Sequence, residues 1–405
     1  MNAGSRKNIA ILAFTLIVVM LGYGMVIPLY PFYIEALGAS GRHMGLLVST
    51  AALLELICGP IWGSISDRTG RKPILMLGLL GYALSSLLFG LASKLWMLFA
   101  ARALSGVLSS ATMATALAYI GDSTREKDRG SGMGMLGAAA GLGTILGPAV
   151  GGWLGSSSLS LPFFIAAGAA LLALLLAAWL LPESLPVEAR RKSSIQGPSL
   201  NALKTALFGP IGLLLFMLFL ASFGLTNFES IFGLYAAQEL DYGPERVGTI
   251  LAVVGLTSTL GKAILIGPLT RRWGEAPIIK VSLAASSVAF IVLLLAKTYP
   301  SVLAATGVFI LSKTLLRTVI IALASKRVDP GEQQTRAPGQ GAAMGLCQSF
   351  MSLGYAVGPL WAGFVFDVDV RYPYLSGAGI MLIGFVISLF KISAQGRVAE
   401  QKENM

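Results

Sequence analysis

The chain has 405 residues, of which 55% are hydrophobic and 12% charged, and its mean hydropathy is +0.76. That composition excludes an ordinary soluble globular domain, so most of the chain must be solvated by lipid. The formal net charge of +11 does not point to nucleic acid, because the basic residues are scattered in short loops and form no continuous basic face. Cys58 and Cys347 lie in apolar stretches and read as buried thiols without a disulfide framework. The single histidine, His43, stands beside Arg42 in a loop, so no histidine metal cluster is expected.

Arg6 and Lys7 open the chain, and an apolar run follows to Tyr30. The run is too long for a signal-peptide core and ends in no small-residue cleavage site, so it reads as a retained first membrane helix. Apolar segments of about 20 residues, the length that crosses a bilayer, recur throughout. They fall near 44–65, 74–92, 96–120, 131–154 and 162–181, then 208–236, 246–269, 277–296, 301–325, 339–364 and 373–394. With the first run they make an all-α integral membrane protein of twelve helices. The one long polar stretch, Pro182 to Thr205, carries Glu183, Glu188, Arg190, Arg191, Lys192, Gly197 and Pro198 and has a linker's composition. A linker over 182–207 therefore divides a six-helix bundle at 1–181 from another at 208–405.

Of the 30 lysines and arginines, twenty lie at the termini and in the even-to-odd connections. Only five lie in the opposite connections: Arg42, Lys94, Arg246, Lys297 and Arg371. This bias places both termini and the linker in the cytoplasm.

The stretch Gly63-Ser64-Ile65-Ser66-Asp67-Arg68-Thr69-Gly70-Arg71-Lys72-Pro73, between the second and third segments, reads as a short charged hinge at the membrane surface. Gly63 and Gly70 allow a sharp turn. Asp67 can face a helix N-terminus or an arginine, while Arg68, Arg71 and Lys72 stay among headgroups. Gly267-Pro268-Leu269-Thr270-Arg271-Arg272-Trp273-Gly274 echoes the stretch between segments eight and nine, without the aspartate.

Two glycine patterns mislead. Gly132 to Gly137 spells Gly-x-Gly-x-x-Gly, yet no strand precedes it and a dinucleotide site is not expected. Gly255 to Lys262 resembles a phosphate loop, but its spacing is one residue too long and Ala263 replaces the required hydroxyl. In the fifth segment Gly143, Gly147 and Gly151 recur every fourth residue, joined by Pro148 and Gly152; such a ridge lets another helix approach closely. Gly354-Tyr355-Ala356-Val357-Gly358-Pro359 repeats the pattern in segment eleven.

An ionisable group inside a membrane helix costs several kcal/mol, so each requires an account. Glu55 sits in segment two, Arg102 in four, Glu229 in seven, Lys262 in eight, and Lys313 and Arg317 one turn apart in ten. Lys262 lies toward the cytoplasmic half and reads as snorkelling. Glu229 is the strongest site candidate, because a carboxylate without a partner there can exchange a proton for a cationic substrate; the alternative is a permanent ion pair with Arg317 or Lys313. Phe228, Phe232 and Tyr235 flank Glu229 at helical spacing, with Phe216, Phe219 and Phe223 earlier. Aromatic faces around a carboxylate suit a large lipophilic cation, and Tyr23, Tyr30 and Phe350 can belong to the same cavity.

Gly-x-x-x-Asp-Arg-x-Gly-Arg-Lys between helices two and three resembles the signature loop of the major facilitator superfamily. Gly147-Pro148-Ala149-Val150-Gly151-Gly152 is similar to the fifth-helix motif that marks antiporters there, and Arg102-Ala103-Leu104-Ser105-Gly106 resembles the helix-four arginine segment of drug antiporters. Together with Phe223 to Phe232 and Phe366 to Pro373, these motifs resemble small bacterial multidrug/proton antiporters over almost the whole chain. The resemblance implies two six-helix bundles, no cofactor, and proton-coupled export of lipophilic drugs or dyes by a monomer in the bacterial cell membrane. It gives Glu229, Arg102 and Glu55 to proton coupling. It gives Glu229, Phe228, Phe232, Tyr23, Tyr30, Lys313, Arg317 and Phe350 to substrate binding. Gly63, Asp67, Arg68, Gly70 and Arg71 become a cytoplasmic gate. One departure stands out: where those pumps carry a helix-ten aspartate three residues before the arginine matching Arg317, this chain has Thr314, beside Lys313. That leaves room for neutral, zwitterionic or anionic cargo, tetracycline-like or lipid-like. The rival readings are a metabolite facilitator or antiporter, and a membrane sensor that binds without translocating.

Overall fold

The computed structural model describes residues 3–123, 126–190, 206–209, 211–326 and 340–403. Arg191, Lys192, Gly197 and Pro198 of the expected linker, and the start of the eleventh segment at 339, lie outside the described residues. Among the described residues, twelve helices are long and apolar enough to cross a membrane. They are α1 (Ala10–Ala36), α2 (Gly41–Thr69), α3 (Arg71–Gly90), α4 (Leu95–Ser123), α5 (Met133–Ser157), α6 (Leu161–Leu180), α7 (Gly212–Leu240), α8 (Pro244–Trp273), α9 (Glu275–Leu295), α10 (Tyr299–Lys326), α11 (Ala343–Phe366) and α12 (Tyr372–Phe390). Helices follow from the solvent: in hydrocarbon each backbone group must find its partner inside the segment.

Two compact units are formed, Met1–Pro198 with Gly233–Gly255, and Ser199–Phe232 with Leu256–Met405. The end of α7 and the first half of α8 group by contact with the first unit. The first unit is inside-out relative to a soluble protein. Ala166, Ala170, Ala173 and Ala177 of α6 are buried, while Leu171, Leu172, Leu175 and Trp179 of the same helix are exposed. Small residues allow helices to meet closely, and large apolar ones face lipid at no cost. Ala170, Ala173 and Ala177 pack with Leu12 and Leu16 of α1, Leu75 and Leu79 of α3, and Tyr119 of α4.

The expected hinge is almost entirely helical. Helix α2 continues to Thr69 and α3 begins at Arg71, so the break is the single residue Gly70, at φ +110°. A side chain there would be strained and would fall on the Glu183 carboxylate. That carboxylate accepts from the backbone N–H groups of Arg71 (2.8 Å) and Lys72 (3.2 Å), so a residue beyond α6 caps α3. Gly274, at φ +72°, makes the corresponding break between α8 and α9.

Each unit contains one close helix crossing built on the glycine pattern. A Cβ on Gly147 would stand 2.6 Å from Gly24 Cα, and one on Gly151 would fall on the Met25 carbonyl, so α5 lies directly against α1. A Cβ on Gly354 or Gly358 would stand 2.7 Å from the carbonyl of Phe219 or Phe223, so α11 meets α7 in the same way. Further along α5, a Cβ on Gly152 would stand 2.9 Å from Gly248 Cα of α8, in the segment that groups with the first unit.

Candidate functional site

In the first unit the charged centre is Arg102 on α4, buried at 6% exposure. Its Nη1 donates to Tyr30 Oη at 3.2 Å, and the guanidinium carbon lies 4.5 Å from the centre of that ring. Its Nε has no hydrogen-bond partner. Tyr23, Tyr30, Tyr82, Ser85 and Ser105 line a small pocket with Arg102, a wall of hydroxyls and rings around one cation. Just past Arg102, α4 widens into a π-helical turn at Ser105–Ser109, a distortion that recurs at functional sites. Glu55 on α2 is exposed and within reach of the Arg102 charge.

In the second unit, Glu229 of α7 is half-buried. Among the described residues no cation lies within 4.0 Å of its carboxylate. Arg317 and Lys313 act on it through space. The permanent ion pair that competed with a proton-carrying role is thus not formed with either. Arg317 is half-buried over the Tyr355 ring at 6.0 Å.

Lys313 sits elsewhere than a cavity ligand would. It is 4% exposed. Its Nζ donates to the Ala221 carbonyl at 2.9 Å and lies 3.3 Å from Met381 Sδ and 5.6 Å from the centre of the Phe309 ring. A Cβ on Gly224 would fall on that ammonium, so the glycine makes the niche. Thr314, at the position of the missing aspartate, bonds Ser258 of α8 at 3.1 Å between hydroxyl oxygens. Lys262, read as snorkelling, is exposed in the middle of α8, on a second π-helical turn at Gly261–Leu265.

The aromatic residues divide. Phe228 and Phe232 are 0% and 1% exposed. They pack at 4.9 Å between centroids, and Phe228 meets Phe309 at 5.0 Å, which in turn meets Phe290 at 4.5 Å. In this state they are core and offer no free face to a substrate; Phe350 is likewise buried, at 7%. Tyr23, at 38% exposure, is the accessible one among the aromatic candidates.

The gate residues form a network on the first unit. Arg71 pairs with Asp67 at 2.5 Å and with Asp122, near the end of α4, at 2.8 Å, and it donates to Ser66 Oγ at 2.6 Å. Gly63 lies within α2 with open space where its Cβ would be, so it is not a turn residue. Arg68 lies one residue past Asp67, in the last turn of α2. Sequence reasoning missed Asp122 and Glu183, because each closes the network from a distant segment. The second unit repeats the arrangement with its charges exchanged: Glu275, after Gly274, pairs with Lys326 at the end of α10 at 2.5 Å.

Comparison with known proteins gives a consistent picture. The family model of the Major Facilitator Superfamily matches residues 12–339 and 214–404. The chain is 31% identical to multidrug resistance protein 2 of Bacillus subtilis, the match covering 96% of each chain. It is 29% identical to the quinolone resistance protein NorA of Staphylococcus aureus over 98% of this chain and 99% of that one. Among solved structures, the nucleoside transporter NupG shares the fold with a TM-score of 0.81 at 14% identity, over 95% of this chain and 100% of that one. The human organic anion transporter MFSD10 shares it with a TM-score of 0.69 at 21% identity, over 96% and 100%.

Proposed function

Because the chain belongs to the major facilitator superfamily, whose members are membrane transporters and not enzymes, we propose that it is a proton-coupled secondary transporter. In this reading it exports lipophilic drugs or dyes from the cytoplasm by alternating access, as a monomer. The names of its relatives in Bacillus and Staphylococcus support the substrate class.

The observation that carries the reading is Glu229, a half-buried carboxylate in a membrane helix with no ion-pair partner among the described residues. The carboxylate can be neutralised by a proton or by the cationic centre of a substrate, but not by both. Each ligand excludes the other, which is the condition for exchange. Arg317 acts on the carboxylate through space and offsets part of its negative charge. Arg102 and Glu55 form a second responsive pair within the first unit. The distribution of basic residues supports both termini and a 182–207 linker in the cytoplasm, and the bacterial relatives support a location in a bacterial cell membrane. Asp67 and Arg71 latch the cytoplasmic side when the protein opens outward.

Reconstitution in liposomes under an imposed proton gradient, with ethidium and an internal pH dye followed together, tests the reading. Opposed movement of dye and protons is expected, and Glu229→Gln should reduce coupled dye transport by at least about tenfold, a barrier change of about 1.4 kcal/mol. Undiminished transport by a correctly folded Glu229→Gln protein would remove Glu229 from the mechanism.

A further inference from the structure

Asn227 is 1% exposed on α7, two residues before Glu229. A carboxamide is costly in hydrocarbon unless another helix satisfies it. This one is satisfied at one end. Its Nδ2 donates to the Pro373 carbonyl of α12 at 2.7 Å, whereas its Oδ1 has no hydrogen-bond partner. A carbonyl can only accept, so the nitrogen and not the oxygen must face Pro373. Gly377, one turn further along α12, opens that carbonyl to the side. A Cβ there would stand 2.9 Å from Asn227 Nδ2 and 2.7 Å from the Phe290 ring. A leucine would bury in α7 more favourably and need no glycine opposite it. What the amide adds is direction: a hydrogen bond between helices selects one rotation, which apolar packing holds more loosely.

The neighbouring residues show which rotation is selected. Successive residues of an α-helix point about 100° apart. Thr226 sets its hydroxyl 3.1 Å from the Gly354 carbonyl of α11, where a Cβ on Gly358 would fall on it. Phe228 is 0% exposed and meets Phe309 of α10 at 5.0 Å. Three consecutive residues thus commit three sides of α7 to α11, α12 and α10. Glu229 points about 200° from Asn227, into the sector that remains, and is only half-buried there. Thr226 shares its hydroxyl with the Ser222 carbonyl of its own helix at 3.0 Å, and Phe228 packs without a directional bond. Asn227 is therefore the contact that specifies the rotation.

We propose that Asn227 is a positioning residue: its bond to Pro373 sets the rotation of α7 and so aims the Glu229 carboxylate away from α12. The inference deepens the exporter reading and rests on it, since Glu229 is there the group exchanged between proton and substrate. Arg317 and Lys313 act on Glu229 through space from α10, and a turn of α7 alters the distance to both.

The test uses dicyclohexylcarbodiimide, an apolar reagent for protonated carboxyl groups, on the purified full chain in detergent. Modification of Glu229 is read by mass spectrometry. Asn227→Leu keeps the branched outline and removes the donor; it is expected to slow that modification at least about threefold, on the scale of one lost hydrogen bond. Asn227→Gln keeps the amide and should retain part of the original rate. Gly377→Ala crowds the same bond from α12 and carries the test if Asn227→Leu does not elute as a folded protein. A role in cohesion alone would lower the melting temperature and leave the rate in folded protein unchanged. That result, or equal slowing by Asn227→Leu and Asn227→Gln, overturns the assignment. Protection of Glu229 by ethidium scores the exporter reading separately. Slowed modification in Asn227→Leu without ethidium protection of the unmodified protein keeps the positioning role and removes Glu229 as the exchange site. Protection of the unmodified protein, with an unchanged rate in Asn227→Leu, removes the positioning role and leaves the exporter standing.

Discussion

Gly224→Ala isolates what holds the buried lysine in place. The new methyl would fall on Lys313 Nζ and on Met381 Cε. Met381 ends in a flexible thioether and can move aside. The ammonium cannot move without leaving the Ala221 carbonyl, 2.9 Å away. A hydrogen bond to a charged group is worth about 1.5–3 kcal/mol, and overpacking a core costs about 1–3 kcal/mol. Replacing a helical glycine by alanine returns about 1 kcal/mol. The net effect is a destabilisation of about 1.5–5 kcal/mol, so the clash outweighs the gain in helix propensity. The same substitution in a Lys313→Leu background meets no ammonium, and its cost should fall below about 1 kcal/mol, a coupling that a double-mutant cycle reads directly. Lys313→Leu alone should be neutral or stabilising, since it removes a buried charge that has no carboxylate partner. Thermal unfolding of the four detergent-purified proteins supplies the cycle. An equal penalty for Gly224→Ala in both backgrounds would refute the niche as the reason for the glycine.

Gly151→Ala places a methyl on the Met25 main chain, which cannot rotate away, and should destabilise the first unit by about 1–3 kcal/mol with loss of dye export. Gly168→Ala on α6, with nothing within 4 Å, is the matched control, and equal melting temperatures for the two variants would sink the argument. Asp67→Asn removes one of the two carboxylates on Arg71 and leaves Asp122 in place. The Asp67 side chain is 39% exposed, so stability should change by less than about 1 kcal/mol while transport falls. Wild-type transport rates in that variant would discard the latch.

Much of the architecture was legible because bilayer-length apolar runs have one stable solution. The glycine periodicity of α5 likewise predicted a close crossing, and the echo in α11 has the same geometry. The boundaries were less legible. The polar stretch from Gly63 to Pro73 was read as a loop because its charges signal exposure, yet charge does not prevent a helix from projecting past the membrane. Only the cap from Glu183, 112 residues from Arg71 in sequence, lets α3 start directly after Gly70, and no local pattern announces it. The intramembrane cations show the same limit. Sequence identifies Lys262 and Lys313 as costly, but which is accessible depends on the Gly224 niche and the π-helical turn of α8. Phe228 and Phe232 stand at the right spacing beside Glu229, and periodicity could not show that Phe309 and Phe290 enclose them.

Lys313 also bears on how the protein enters its membrane. Helix α10 carries about a dozen Leu, Ile, Val and Phe residues, each favouring translocon insertion by about 0.3–0.6 kcal/mol, against Lys313 and Arg317 at about 2.5–3.5 kcal/mol each. The two sums nearly cancel, so this segment leaves the translocon without a clear preference for lipid. The Ala221 carbonyl that receives the lysine is on α7, already synthesised, whereas Met381 on α12 has still to emerge. The order of synthesis thus supplies the lysine with its acceptor first, and the last helix closes the niche.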